Sequence, residues 1–115
     1  MTPDLPERCS PCRAGTPPLT VEEARRYLAE APSWELDFPR MRRRFELPNF
    51  RAALRWVGRV GMLAEEEAHH PDFHITNWNQ VELVLWTHSV GGLSLNDFVL
   101  ARKIDGLAAR DGLDS

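Results

Sequence analysis

The chain contains no stretch approaching the roughly 20 apolar residues that a bilayer-spanning helix needs, and its opening, MTPDLPERCSPC, has no apolar run resembling a signal peptide. No membrane partner and a cytoplasmic location are therefore expected. Positive charge is not in excess either: Lys and Arg number 14 against 17 Asp and Glu, for a formal net charge of -3 and a pI near 5.8. Such a balance gives no general attraction to nucleic acid. Cysteine is scarce, with Cys9 and Cys12 alone, a C-x-x-C pair without the second pair that a structural zinc site requires. Nor does the Pro/Ser/Gly-rich segment around them offer the strand-helix unit of a thioredoxin-like redox motif, so a pair of reduced thiols on a mobile arm is expected. No internal repeat is visible.

What is present fits one domain. A length of 115 residues with 43% hydrophobic and 27% charged side chains supports a single core of ordinary size. Residues 1–19 carry Pro3, Pro6, Pro11, Pro17 and Pro18 and read as an extended leader, so the folded domain is expected over 20–115.

Within that domain the periodicity switches between helical and strand spacing four times. Thr20 and Glu23 form a capping box, and Val21, Ala24, Tyr27 and Leu28 recur at helical spacing until Pro32, which predicts a helix over about 21–30. Trp34, Leu36 and Phe38, then Met41, Arg43, Phe45 and Leu47, alternate with polar residues and predict two strands joined as a hairpin. The arginines at 40 and 42–44 could bind an anion, but charged side chains on the wet face of a half-buried strand are the commoner explanation. From the N-cap Asn49, an apolar stripe of Phe50, Ala53, Leu54, Val57, Val60, Gly61 and Ala64 predicts a helix to about Ala68, ended by Pro71. Val81 to Thr87 reads as a buried strand, with Phe73 to Thr76 as its partner and Asn77 to Gln80 as the turn. After Gly91-Gly92, Ser94 caps a last helix of about 95–109. The order α-β-β-α-β-β-α predicts an α+β fold, a four-stranded antiparallel sheet with three helices packed on one face.

All four histidines lie between Glu65 and Asp97, and imidazole is the side chain that titrates near neutrality. Glu65 and His69, like Glu66 and His70, are four apart, which puts each pair on one helix face if the helix persists. His88 stands at the end of a strand before a two-glycine turn, where a side chain can project into a cleft. Asp97, three residues after Ser94, is by itself an ordinary helix-start carboxylate. Trp78 and Trp86 are ordinarily packing residues, and Glu65 to Glu67 an ordinary solvated face. A metal site built from His69, His70, His74 and His88 is the sharper rival, although no ligand spacing such as H-E-x-x-H is present.

Glu65, three residues, His69-His70-Pro71, six residues, Trp78, nine residues, His88, eight residues and Asp97 together resemble the pterin-4a-carbinolamine dehydratase family, over about residues 20–108. His74 is outside the pattern, and Trp78 stands where many relatives have tyrosine. The resemblance implies a hydro-lyase that removes water from a 4a-hydroxytetrahydropterin, with no metal and no organic cofactor. It implies His69 and His88 as the general acid-base pair, His70 as a pterin-binding residue, Glu65 and Asp97 as the carboxylates that hold the histidines, and Pro71 and Trp78 beside the substrate. It also implies a homodimer or homotetramer. The second reading is a dehydratase-like binding module, a dimerisation cofactor of a protein partner or an enzyme assembly factor. Retention of both histidines and both carboxylates favours the enzyme.

Overall fold

The computed structural model describes residues 5–10 and 16–113; Cys12, Pro3 and Pro11 lie outside the described residues. The elements are α1 (Val21–Tyr27), continued by a 3-10 turn Leu28–Glu30, β1 (Glu35–Asp37), β2 (Arg40–Glu46), α2 (Phe50–Glu67), β3 (Asp72–Thr76), β4 (Gln80–Leu85) and α3 (Leu95–Arg110). This is the order expected. The strands form one antiparallel sheet in the order β1-β2-β4-β3, so β4 is central and β3 is an edge.

Period-two alternation explains the layers. Met41 and Phe45 of β2 and Val81, Leu83 and Leu85 of β4 are buried on one face, where they join Ala53, Trp56, Val60 and Ala64 of α2 and Phe98, Ala101, Ile104 and Leu107 of α3. Each large apolar side chain so removed from water contributes roughly 1.5–3 kcal/mol. Arg44 and Glu82, paired across the strands on the opposite face, form an ion pair of 2.8 Å in solvent.

Arg43 departs from the wet-face expectation, while Arg40, Arg42 and Arg44 keep to it. Its position between Met41 and Phe45 turns it inward, where it is 9% exposed. A buried guanidinium needs a partner. Asp105 of α3 supplies one at 2.6 Å and also accepts the indole N–H of Trp34 at 2.8 Å.

Helix α2 stops at Glu67, three residues clear of His70. Ala68 takes a left-handed conformation (φ 53), the His69 N–H reaches the Ala64 carbonyl at 3.2 Å, and the Ala68 N–H reaches that of Glu65 at 3.2 Å. Those two bonds define a Schellman motif, whose left-handed position glycine normally fills. An alanine there strains its Cβ against the backbone. Ala68→Gly is therefore expected to stabilise the fold by about 0.5–1 kcal/mol, partly offset by the freer unfolded chain, and to raise Tm by roughly 2–6 °C in thermal unfolding followed by circular dichroism. An unchanged or lower Tm would show that the turn is not strained. The expectation that Glu65–His69 and Glu66–His70 pair along one helix face is corrected by this turn, because neither histidine is helical.

β4 ends at Leu85, two residues before Thr87, which forms an isolated bridge to Gly92. His88–Val90 make a 3-10 turn between them. A Cβ on Gly92 would lie 2.9 Å from the Pro18 side chain, so only glycine lets the leader pass this closely. Leu19 is tied to the same loop by its N–H to the Leu93 carbonyl at 2.8 Å.

Candidate active site

The site is built around Asp97. Ser94 caps α3 and Asp97 occupies the third helical position, so its carboxylate reaches back to accept the Ser94 backbone N–H at 2.9 Å through Oδ2. The same oxygen accepts the Thr87 hydroxyl at 2.8 Å, and Thr87 Oγ1 lies 2.7 Å from Ser94 Oγ. Oδ1 is left to His69, whose Nε2 stands 2.6 Å away. Asp97 is fully buried and the His69 side chain is 11% exposed. A carboxylate already taking two donors on one oxygen accepts on the other, so the His69 proton resides on Nε2 and Nδ1 is the nitrogen with a lone pair. Asp97 is thus both a helix cap and the partner of a histidine.

The other two motif histidines are held more loosely. The Schellman turn swings His70 back over the last turn of α2, where Nε2 meets Glu65 Oε1 at 2.7 Å, with both side chains exposed. A solvated pair of this kind fixes an orientation weakly, at about 0–1 kcal/mol. His88 is exposed and lies against the Trp86 ring, centroids 4.0 Å apart at 45°, while the Arg40 guanidinium sits 4.4 Å from that ring's centroid. The indole is therefore the support of His88, a role that the packing expectation for Trp86 did not include.

A cavity of about 240 Å³ opens beside His69, lined also by Cys9, Ser10, Glu67, Ala68, Thr87, Ser89 and Asn96. Thr87 and Ser89 flank His88 in the chain, and Asp97 bonds both Thr87 and His69, so the two histidines belong to one connected frame. The leader supplies one wall. Asn96 accepts the Ser10 N–H at 2.8 Å and donates to the Ser10 carbonyl, and Glu67 accepts the Cys9 N–H at 2.9 Å. Far from a free arm, the described leader is also gripped at the Pro6 carbonyl by Arg102 at 2.6 Å.

Electrostatics fit this seat. Burial alone would raise the Glu67 carboxyl, but the Cys9 N–H, the Lys103 ammonium at 3.1 Å and Arg8 outweigh it and hold the group below its usual value. Glu67 is consequently ionised at neutral pH, and the stability it lends is lost only as acid titrates it below the ordinary carboxylate range. Burial first, then the Glu67 charge and hydrogen bond, push the Cys9 thiol up to about 12. It stays protonated and is a poor nucleophile.

Not every motif residue converges. Pro71 is buried between His70 and β3, but Trp78 is 60% exposed at the tip of the β3–β4 hairpin, with Asn77 and Trp78 both left-handed (φ 48 and 56). β3 separates it from the histidines by roughly 13 Å of strand rise. His74 points outward opposite Glu82. Among the described residues no group of three or more His, Cys, Asp or Glu could hold a metal ion, so the four histidines do not gather as a ligand set. Thr87, Trp86, Glu67 and Asn96 were not assigned roles from the sequence. Only the buried, polar character of Thr87, Glu67 and Asn96 marks them, and burial is what periodicity reads least well near element ends.

Among the described residues no helix is long and apolar enough to cross a membrane. The family model for pterin 4 alpha carbinolamine dehydratase matches residues 17–107. A Rubrobacter xylanophilus protein provisionally named as that dehydratase is 46% identical over 102 residues, covering 88% of this chain and 94% of its own. The Arabidopsis thaliana protein named pterin-4-alpha-carbinolamine dehydratase 2, mitochondrial, is 37% identical over 110 residues, 91% of this chain and 59% of its own. Among solved structures, one titled transcriptional coactivator/pterin dehydratase from Brucella melitensis superposes with a TM-score of 0.70 at 29% identity, covering 79% of this chain and 98% of that one. With a family model matching residues 17–107 and a relative 46% identical over 94% of its own length, the chain belongs to the pterin 4 alpha carbinolamine dehydratase family.

Proposed function

We propose that this protein dehydrates 4a-hydroxytetrahydropterins to the quinonoid dihydropterin, with His69 and His88 as its acid-base groups. The reaction breaks the C4a–O bond, delivers a proton to the departing hydroxyl and removes one from ring nitrogen N5, so that water is the only other product. The observation that carries the reading is the His69–Asp97 contact. A buried carboxylate that takes the Nε2 proton leaves Nδ1 as the basic nitrogen of a side chain that lines the cavity, and removal of the N5 proton requires such a base. His88, on its solvent-facing turn, is the group that serves the 4a-hydroxyl and exchanges its proton with water between turnovers. His70, steered by Glu65, and Pro71 border the pterin on the open side.

Trp78 is too far along the hairpin to flank a ring held at His69 in the same chain. A ring held there is bordered by residues other than Trp78.

Freshly generated 4a-hydroxytetrahydropterin loses water spontaneously, so the test is a rate comparison. Purified protein is expected to accelerate the absorbance change of dehydration well beyond buffer. Equal rates would sink the enzyme reading and leave the binding-module alternative.

Self-association is part of the same reading. Phe50, Leu54 and Met62 lie exposed along one side of α2, and a Cβ at Gly58 or Gly61 would meet nothing within 4 Å. Two helix-interior glycines with no packing reason inside the chain suit close approach by another helix. Light scattering of the purified protein is expected to give a multiple of 13.2 kDa, and a monomer at micromolar concentration would overturn this.

A further inference from the structure

Towards the end of α2 remote from the histidines lies a second cavity, of about 430 Å³, within the roughly 300–1,000 Å³ of small-molecule sites. Helix α2 lines it with Ala52, Arg55, Trp56 and Arg59, and Arg55 stands about 18 Å of helix rise from Glu67. At roughly 100° per residue, Ala52 and Arg59 lie on the side of the helix opposite the exposed Phe50 and Leu54. The cavity is therefore distinct from the candidate active site and from the self-association surface.

Its remaining walls come from the two ends of the fold. Leu47 and Pro48 stand in the turn between β2 and α2, and Leu113 follows α3. There Gly112 takes a left-handed conformation (φ 74), the Leu113 N–H reaches the Ala108 carbonyl at 2.8 Å, and the Gly112 N–H reaches that of Ala109 at 3.2 Å. That Schellman turn folds Leu113 back against the core. Leu47, Pro48, Ala52 and Leu113 thus make an apolar floor.

The polar groups around this floor are few and unbalanced. Arg59 is committed to Asp111 by two parallel bonds of 2.8 and 2.7 Å, a bidentate pair. Those bonds hold the Asp111 carboxyl below its usual value, so the pair stays ionised and mutually neutralised. Arg55 has no ion pair or hydrogen bond among the described residues, which leaves the lining one positive charge in excess. Trp56 adds a second unanswered donor. It is 2% exposed, and its indole N–H is, among the described residues, the one buried side-chain N or O without a hydrogen-bond partner. Folded proteins seldom leave a buried donor so. The ring is held against Phe45, centroids 5.0 Å apart at 61°.

We propose that this cavity is a binding site for a small monocarboxylate with a compact apolar body. One carboxylate oxygen would accept the Trp56 indole N–H and the other would pair with the Arg55 guanidinium, while the body rests on the apolar floor. Charge sets the ligand class. A single negative charge balances the lining, a second would find no partner, and a neutral ligand would leave Arg55 unanswered. The site makes no use of His69, His88 or Asp97, so it stands or falls independently of the dehydration chemistry.

The indole N–H itself reports occupancy. In ¹H–¹⁵N spectra of the full chain, the Trp56 indole signal is identified by its loss in Trp56→Phe, or by sequential assignment of the wild-type protein. It is expected to move downfield and saturate as 2-naphthoate is added, because the proton gains an acceptor. The indole of Trp34, which already bonds Asp105, should not follow. 2-Naphthamide, the body without the charge, and acetate, the charge without the body, are each expected to bind about tenfold more weakly or less. Arg55→Gln should raise Kd for 2-naphthoate about three- to tenfold, with Arg55→Lys between it and wild type. Arg51→Gln removes an equal charge from α2 outside the cavity and should leave Kd unchanged. A Trp56 signal that does not shift and saturate, equal binding of the amide, or equal losses in the Arg51 and Arg55 variants would each overturn the proposal.

Discussion

His69→Ala and His88→Ala are each expected to lower kcat by about 10²–10⁴-fold, the usual contribution of one positioned acid or base. The two substitutions differ in what else they disturb. His88 is exposed and touches the chain chiefly through the Trp86 ring, so its removal should leave stability within about 0.5 kcal/mol, as is usual for a surface position. His69 takes one oxygen of the fully buried Asp97. Its loss leaves that oxygen unanswered and should cost about 1–3 kcal/mol. His88→Ala is therefore the cleaner experiment, because a large fall in kcat at unchanged Tm has no explanation in folding. Because the pair acts on one reaction coordinate, the double variant should fall far short of the product of the single effects. Stopped-flow absorbance resolves these rates above the spontaneous reaction. A wild-type kcat in either single variant would remove that histidine from the chemistry.

The extent to which this site could be read from sequence follows from the range of the interactions involved. Elements with a sustained period were placed within a few residues: the α2 stripe from Asn49, the alternation through Met41 and Phe45, and the run from Val81. Asp97 was visible as a helix-start carboxylate and, only through the family resemblance, as a partner of the histidines. What could not be read was which histidine it serves. That depends on the left-handed Ala68, which ends α2 before His69, and an alanine at a Schellman position carries no sequence signal where a glycine would. With the helix continued, Glu65 faces His69. With the chain turned, Glu65 meets His70 and His69 is free to reach Asp97.

Arg43 and the leader were misread for a related reason. Both are polar segments whose burial is decided by partners far along the chain, Asp105 for one and Glu67, Asn96 and Arg102 for the other. Composition describes such residues as wet because it cannot see those partners. Proline density likewise argues against regular structure, and the described residues before Val21 lie in no helix or strand, but it says nothing about whether an irregular strap is tied down. The same long-range contacts place the strap beside His69, so what the sequence hid here is one wall of the candidate site.

Asp97→Asn should reduce kcat nearly as far as His69→Ala, by about 10²–10⁴-fold, while costing little stability. The Ser94 N–H and the Thr87 hydroxyl both donate to Oδ2, so the carboxamide oxygen is held on that side and the amide NH₂ must face His69. Imidazole Nε2 then has to accept, its proton moves to Nδ1, and the basic nitrogen is turned into the buried contact instead of the cavity. Asp97→Ala tests something different. It strands the Ser94 N–H, the Thr87 hydroxyl and the His69 N–H in a site closed to water and removes a helix cap, for a combined cost of about 3–6 kcal/mol. That is a large share of the 5–15 kcal/mol by which a domain of this kind is stable, so the alanine variant should unfold well below the parent's Tm and cannot isolate the catalytic effect. Imidazole ¹⁵N chemical shifts separate the explanations for the asparagine variant. A proton found on Nδ1 of His69 together with lost activity makes Asp97 the residue that selects the tautomer. Lost activity with the proton still on Nε2 would assign its role to the charge it places beside the imidazolium, and retained activity would detach the buried carboxylate from the reaction altogether.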